Sequence, residues 1–509
     1  MAGDNEHDYL PLATSPLGAD DDDAFTHKEQ SSRRSGRRLP FPFNKVPSSI
    51  RSIQRLLLIT LLFVPLSILI VYLGRHIFSP RHDPVVSIPI QDNPYFYTGD
   101  VWQHNDQVAA RLDKCSSMGL LRNTSVPFQP HETLSEDEER ELVSQGCGTN
   151  QTTIIILSSL WFAEAFAGTS TAGETIYAQS VISTLNALNY SYVFASLGWY
   201  NADMRKTVEL WHKHRWNVRM VLTDPDQMDV CYTNKDQKCL KTEENSDGIE
   251  SWRLLTFWYW DDSANPLGNQ FTLSPSPRND NYFLSYSIEP TCRRLPSLPM
   301  SLRHDPPQAY LLAKQMHYLE NSTAFSWTLE TLKHLEVKYD IKVVGGMTED
   351  DDSTKERLKQ IGIENLGRLG KIQFYEQLSK SFVFLGVGRP RISPSPWDAL
   401  CMGVPFINPI LTWDEDDPSN RTKWHAQQWH MTDLDPPYVY SVKAHDLAGL
   451  EEAVGSALRN PIQSYIPDYM KFEFACHRTA DLVQGDWRGK AEEIMRERID
   501  SGQGQVYIL

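Results

Sequence analysis

A run of 19 residues without a charged side chain, Leu56 to Gly74 (LLLITLLFVPLSILIVYLG), divides the chain into two unequal parts. At about 1.5 Å of rise per residue, a helix of that length spans the hydrocarbon of a bilayer. Pro65 within it is tolerated better in lipid than in water. A cleavable signal peptide would begin near residue 1, whereas 55 residues precede this run. The expectation is a single transmembrane helix over residues 56–74.

Charge sets its orientation. Residues 30–55 carry Arg33, Arg34, Arg37, Arg38, Lys45, Arg51 and Arg55 and no acid, whereas the far flank offers only Arg75 and Arg81 nearby. An excess of cations marks the cytosolic side, which places residues 75–509 outside the cytosol. The tail, residues 1–55, holds eight basic and eight acidic side chains, so the whole formal net charge of -16 belongs to the rest. That acidic balance excludes the basic footprint a nucleic-acid binder needs. The tail itself, with Asp20 to Asp23 among Ser and Pro, has the composition of a disordered segment.

Cysteine usage agrees with this topology. All seven, Cys115, Cys147, Cys231, Cys239, Cys292, Cys401 and Cys476, follow the apolar run, where an oxidising lumen permits disulfides. No pair has metal-site spacing, and the odd count leaves one thiol over; Cys401, inside an apparent core helix, is the expected free one. Five N-x-S/T sequons, at Asn123, Asn150, Asn189, Asn321 and Asn420, fall on the same side. A short tail, one signal anchor and a large luminal part make a single-pass type II membrane protein, the build of a Golgi-resident enzyme.

Residues 75–150 show no sustained period and are expected to be a stem. From Thr153 onward strands and helices alternate. TIIILSS is a buried strand; a small-residue loop then leads to a helix with Tyr177, Val181, Leu185 and Leu188 on one face. YVFAS (192–196), VRMVLT (218–223) and FLSYSIE (283–289) are further strands. After the Pro-rich segment near 297–307 the alternation restarts with AYLLAK (309–314), a helix in SWTLETLKHLEVKY, DIKVVGG, helices in STKERLKQIG and FYEQLSKS, and SFVFLGVG. Such alternation predicts an α/β fold with two Rossmann-like parallel-sheet domains, 151–302 and 303–480, facing a cleft. A final helical stretch (477–499) leads into a tail over 481–509.

The most informative segment is FLGVGRPRISPSPWDALCMGVPFINP, residues 384–409. After a buried strand, Gly386 and Gly388 permit a tight turn, and the helix opened by Pro396 presents free N–H groups suited to phosphate. Asp398, in its first turn, has the two oxygens that a ribose diol needs. A plain turn and a dipole-favouring acid would look the same locally. The full order of strand, glycines, prolines, acid, Ala399, Gly403 and Pro405 resembles the donor signature of two-domain, GT-B type nucleotide-sugar transferases. More specifically it resembles glycosyltransferase family 18. NDNYFLSYSIE (279–289), QAYLLAK (308–314), FSWTLETLKHLEVKYDIKVVGG (325–346), YEQLSKSFVFLGVG and the Cys476 region carry the same resemblance. The chain departs from the family in having Asp398 where a glutamate is usual, and Arg391, Ile392 and Ser393 where an aromatic-acid-glycine loop is usual.

The resemblance implies an inverting transferase moving N-acetylglucosamine from UDP-N-acetylglucosamine to a mannose hydroxyl of a glycan or glycoprotein, through a β-1,6 linkage and without a metal. It points to Glu174 in TAGETIYAQ as the base that deprotonates the acceptor. Locally, Thr171 and Glu174 also fit a helix capping box. Glu164 is the fallback base. Lys423 is implied as a cation facing the diphosphate; Arg389, beside Gly388, and Lys314, at the end of the first strand of the second domain, are further donor-side candidates. Two alternatives stand beside this. One is a metal-dependent, GT-A type transferase holding a divalent ion on Asp224 and Asp226, with Asp350 to Asp352 as a second acidic cluster. The other is a membrane-tethered, catalytically silent glycan-binding protein, for which Asp398 in place of glutamate is the main support.

Overall fold

The computed structural model describes residues 99–126, 134–168, 170–196, 203–277, 279–295, 297–303, 305–319, 325–348 and 352–509. The apolar run 56–74, the tail, Asn321, Asp350 and Asp351 lie outside these residues. Among the described residues no helix is long and apolar enough to cross a membrane.

Two parallel sheets make up the frame. The first runs β2-β1-β3-β4-β5-β6, built from β1 (Ile154–Leu157), β2 (Ser191–Phe194), β3 (Val218–Thr223), β4 (Leu254–Phe257), β5 (Thr272–Ser274) and β6 (Tyr282–Phe283). All five of its pairings are parallel. The second contains β7 (Gln308–Leu312), β8 (Lys342–Gly345), β9 (Glu364–Asn365), β10 (Ser381–Gly386), β11 (Phe406–Thr412), β12 (His425–Ala426) and β13 (Val439–Lys443). Its order is β12-β11-β10-β7-β8-β9, with β13 also parallel to β11, and β12 is its antiparallel member. Central strands such as Ile154–Leu157 are buried at every position, which is why they read as continuous apolar runs.

Helices α1 (Val101–Ser117) and α2 (Glu136–Gln145) occupy the segment expected to be an aperiodic stem. Helix α1 covers the edge strand of the first sheet. The Asn105 side chain both donates to the Phe194 carbonyl and accepts from the Phe194 N–H, at 2.8 Å each, so it satisfies groups the edge would otherwise leave open. A disulfide from Cys115 to Cys147 fastens α1 to the residues after α2.

Helices α3 (Leu160–Ala167) and α4 (Gly173–Ala187) follow β1, and α5 (Pro225–Thr233) follows β3. In the second half, α6 (Leu329–Tyr339), α7 (Lys371–Lys380), α8 (Ser395–Cys401) and α9 (Leu447–Arg459) flank the sheet. The expected strand 283–289 is not one. Only Tyr282 and Phe283 pair; Ser285 has a positive φ of 69°, and Ser285 and Ser287 give their hydroxyls to the carbonyls of Tyr469 and Met470.

The final helical stretch is two helices, α10 (Phe472–Gln484) and α11 (Trp487–Ser501), broken at Gly485 and restarted by Asp486, whose carboxylate caps Gly489 N–H at 2.9 Å. Both return to the first sheet. Thr479 meets Thr184 of α4 at 2.8 Å, and buried Arg219 of β3 donates to the carbonyls of Val483 and Gly485 at 2.8 and 2.7 Å. One apolar core consequently joins residues of both sheets and both C-terminal helices, from Ile155 and Tyr177 through Phe384 and Trp397 to Trp487 and Met495.

The expectation of a free Cys401 is corrected. Cys401 is bonded to Cys292, Cys231 to Cys239, and the remaining thiol is the half-buried Cys476. Cys401 ends a helix short enough to lie against the segment Glu289–Cys292, and helical burial did not isolate it.

Candidate active site

Parallel strands bring their following loops to one edge of a sheet. In the second sheet Gly386 pairs with Leu312, so Gly388 and Lys314, two residues past each, are level. Gly386 is required by a close approach: a Cβ there would stand 2.4 Å from Gln427 Oε1 and 2.8 Å from the Ile407 carbonyl. Gly388 has φ of 104°, in the region open to glycine, and gives its N–H to Gln427 Oε1 at 2.9 Å. Gln427 and Gln428 hold the turn through Pro390, Ile392 and Ser393. Arg389 is half-buried within it, and Pro396 is buried inside α8.

Asp398 does not stand open at the mouth of the turn. It is 2% exposed and accepts a hydrogen bond from the Tyr375 hydroxyl on α7. Burial pushes its carboxyl up to about 6, against the opposing pull of the Lys371 charge and the Tyr375 hydrogen bond. Lys371, in the first turn of α7, is itself lowered by burial and raised by Asp398. From the first half come Tyr259, in the loop after β4, and Tyr286, after β6. Both are buried, and burial pushes both phenols well above the usual range, with the charge of Asp398 acting in the same direction.

Glu174 is half-buried in the first turn of α4, next to the Gly173 that lies against the Tyr259 ring, and its charge acts on Tyr259. The capping box with Thr171 is not formed. Helix α4 starts at Gly173 with Ala172 as its N-cap and no side-chain cap bond, while Ser170 Oγ accepts from Ala172 N–H at 3.2 Å. The charges of Glu174 and Asp398 both act on Tyr259, so the structure brings the two acids into the same neighbourhood. It does not bring in Lys423, which is exposed on a 3-10 turn (Arg421–Lys423) between β11 and β12. Glu164 lines a shallow depression of about 360 Å³ with Asp100 and Trp102 at the start of α1.

A second contact crosses between the halves. Asp261, after β4, accepts from Trp429 Nε1, lies 3.2 Å from His430 Nε2 and accepts from Asn279 Nδ2 at 2.9 Å. Burial opposes its ionisation, but the hydrogen bond and charge of His430, with Asn279 and Trp429, outweigh this and hold its carboxyl below the usual range. Tyr286 and Tyr375 lie in segments that carried the family resemblance, but nothing in the sequence assigned them, Tyr259, Lys371 or Asp261 a place in the site, because a tyrosine bound for a polar cluster is spelled like one bound for a core.

Asp224 has a structural task. It caps α5 by accepting from Gln227 N–H at 2.9 Å, and burial pushes its carboxyl up to about 6, while Asp226 is exposed. Asp352 opens the helix Asp352–Ile361. Among the described residues no group of three His, Cys, Asp or Glu is placed to hold a metal ion.

Two mainly parallel sheets flanked by helices, with a buried acid in the helix after a strand–glycine turn, make an α/β protein, and comparison with known proteins adds a family. Residues 261–484 match the model of Glycosyltransferase family 18, so the resemblance carried by the motifs holds over that stretch, which includes Asp261, Tyr286, Tyr375 and Asp398. Glu174 precedes it. The Alpha-1,6-mannosylglycoprotein 6-beta-N-acetylglucosaminyltransferase of Caenorhabditis elegans is 27% identical over 135 residues, 24% of this chain and 19% of the worm protein. Among solved structures, a putative UDP-N-acetylglucosamine 2-epimerase from Listeria monocytogenes has a TM-score of 0.37 at 11% identity, covering 70% of this chain and all of its own. The Thermobaculum terrenum O-GlcNAc transferase has a TM-score of 0.31 at 9% identity, covering 80% of this chain and 77% of its own.

Proposed function

We propose that the protein is an inverting, GT-B type glycosyltransferase that moves N-acetylglucosamine from UDP-N-acetylglucosamine to a mannose hydroxyl of a glycan in β-1,6 linkage. Its catalytic part lies in the Golgi lumen behind a type II anchor at residues 56–74. The observation that carries the proposal is the family 18 match over residues 261–484, because it contains the turn, Asp398 and the Tyr375 that is bonded to it. The name of the worm relative supports the sugar and the acceptor.

In this proposal the diphosphate lies over the turn 386–389, where Arg389 and Lys314 supply fixed positive charge and make a metal unnecessary. Lys423 joins them from its exposed turn. Tyr375 occupies Asp398 Oδ1, leaving Oδ2 to accept from a ribose hydroxyl. Glu174 takes the proton of the acceptor hydroxyl as that oxygen bonds to the anomeric carbon and UDP departs with the electron pair of the broken bond. The burial of Asp398 favours one second reading, a tethered glycan-binding protein with a closed donor site.

Detergent-solubilised full-length protein, offered a panel of nucleotide sugars with a mannose-terminated glycan, tests both. Release of UDP from UDP-N-acetylglucosamine together with a β-linked product, unaffected by EDTA, is expected. Silence with every donor leaves the binding protein; loss in EDTA restored by manganese returns the task to a metal site.

A further inference from the structure

Building on the donor turn proposed at residues 386–389, we infer that Asp261 is a positioning residue, which from the first half of the fold holds the turn 388–393 in the shape that receives the nucleotide diphosphate.

That turn is strained. Ile392 has φ of 47°, in the left-handed region where a β-branched side chain crowds its own backbone, and its side chain is buried. Such a conformation persists only where the surroundings impose it. Here the ties come from two adjacent residues. Gln427 accepts from Gly388 N–H at 2.9 Å, gives its side-chain amide to the Pro390 carbonyl at 3.1 Å and takes the Ile392 N–H on its own carbonyl at 3.2 Å. Gln428 accepts from Ser393 N–H at 3.0 Å. Strand β11 fixes the main chain of this pair through Asn408 and the Pro409 carbonyl.

Past Gln428 the support comes from the other half. Trp429 opens a 3-10 turn (Trp429–Met431) and donates Nε1–H to Asp261 Oδ2, while His430 Nε2 lies 3.2 and 3.3 Å from the two Asp261 oxygens. The Trp429 ring also touches the strained turn, because the guanidinium carbon of Arg391 stands 5.9 Å from its centroid. Asp261 is itself fixed. Asn279 donates to its Oδ1 at 2.9 Å, and Asn281 donates to the carbonyls of Asp261 and Asp262 at 3.2 and 3.1 Å. An acceptor held this way gives the Trp429 ring one orientation, and Arg391 and the two glutamines pass that orientation to the turn. The site in the second half is thus completed by an acid from the first. Without Asp261 the incoming donor would have to impose the shape itself, so the cost falls on donor binding and not on the step that follows it.

Two variants break the tie from opposite ends. Asp261→Ala removes the acceptor, and Trp429→Phe removes the N–H while keeping a ring against Arg391. In full-length protein without nucleotide, amide hydrogen exchange at Gly388, Ile392 and Ser393 should quicken by about threefold or more in both variants, with β1 and β10 unchanged. With UDP-N-acetylglucosamine, the donor KM should rise about tenfold while kcat at saturating donor stays within about threefold. Exchange that is unchanged at the three amides, or that quickens alike in the turn and in β10 as a general loss of stability would make it, overturns the inference. So does a fall in kcat at an unaltered donor KM. If Asp261→Ala does not fold, Trp429→Phe decides alone. Absence of any turnover in the natural protein would sink the proposed donor instead, and the exchange rates would still decide whether Asp261 holds the turn.

Discussion

Tyr375 of α7 donates its hydroxyl to Asp398 of α8, and both side chains are shut away from water. Because burial raises Asp398 from 3.8 to about 6, the folded chain holds that proton more tightly than the unfolded one. Stability from this group therefore falls as pH rises between those values, and the whole cost stands above about 6. Asp398→Asn keeps the shape and an acceptor for Tyr375 while removing the charge. It should melt higher than the natural protein at pH 7, with a ceiling of about 3 kcal/mol, and nearly the same at pH 4. Thermal melts across that range check it; a loss of stability at pH 7 would mean that the charged form is the one the site favours. In a donor-binding assay the same variant should bind UDP more weakly by about 1 to 3 kcal/mol.

Asp261 behaves in the opposite sense. Its carboxyl is held below the ordinary range by His430, Asn279 and Trp429 despite its burial, so its contribution is present at neutral pH and is lost as pH falls through its folded value. Asp261→Asn should lower stability at pH 7 by about 1 to 3 kcal/mol and make the junction between Trp429 and the loop after β4 more open to protease. Denaturant titration gives the first and limited digestion the second. An unchanged midpoint at neutral pH would show that the contact between the halves contributes no stability.

Why the strands were legible and the polar cluster was not follows from what each presents to the chain. Ile154–Leu157 and Ser381–Gly386 are buried on both faces and announce themselves as apolar runs bounded by glycine or serine. Helix α1 buries Asn105, Val108, Leu112 and Cys115, a helical spacing, but with an amide and a thiol among the four the apolar signal fades. The false strand 284–288 is apolar enough for one, yet is held by serine hydroxyls against the chain near 469. Gly386, Gly388 and Asp398 were found because strand, turn and helix follow one another in sequence. Tyr259, Tyr286 and Tyr375 come from three separate loops and helices and meet only in space.

Cys292 and Cys401 are bonded across 109 residues, with Cα atoms 6.3 Å apart. Cys401 stands one helical turn beyond Asp398, so the bond pins α8 to the segment that also carries Tyr286. Cys292→Ala should lower stability by about 2 to 5 kcal/mol, the usual range for a native disulfide, and should loosen UDP binding through α8. Cys476→Ser, at the unpaired and half-buried thiol, should do neither. Denaturant titration of both variants decides the point. Alkylation of Cys292 and Cys401 without prior reduction would remove the bond itself.

Glu174 sits in the first turn of α4, where any acid gains from the helix dipole, so its role must be separated from that gain. Glu174→Gln keeps the size and the hydrogen-bonding oxygen and loses only the charge and the ability to take a proton. Loss of the dipole interaction should cost no more than about 1 kcal/mol of stability. Loss of the base should lower turnover by about 10²-fold or more, with UDP affinity retained, because the proton must leave the acceptor hydroxyl in the step that Glu174 is proposed to serve. Steady-state rates at saturating donor, beside a melt and a UDP titration on the same preparation, distinguish the two. Near-natural turnover in a variant that merely melts earlier would make Glu174 a dipole residue. The base would then be sought elsewhere, with Glu164 of α3 the first to be replaced.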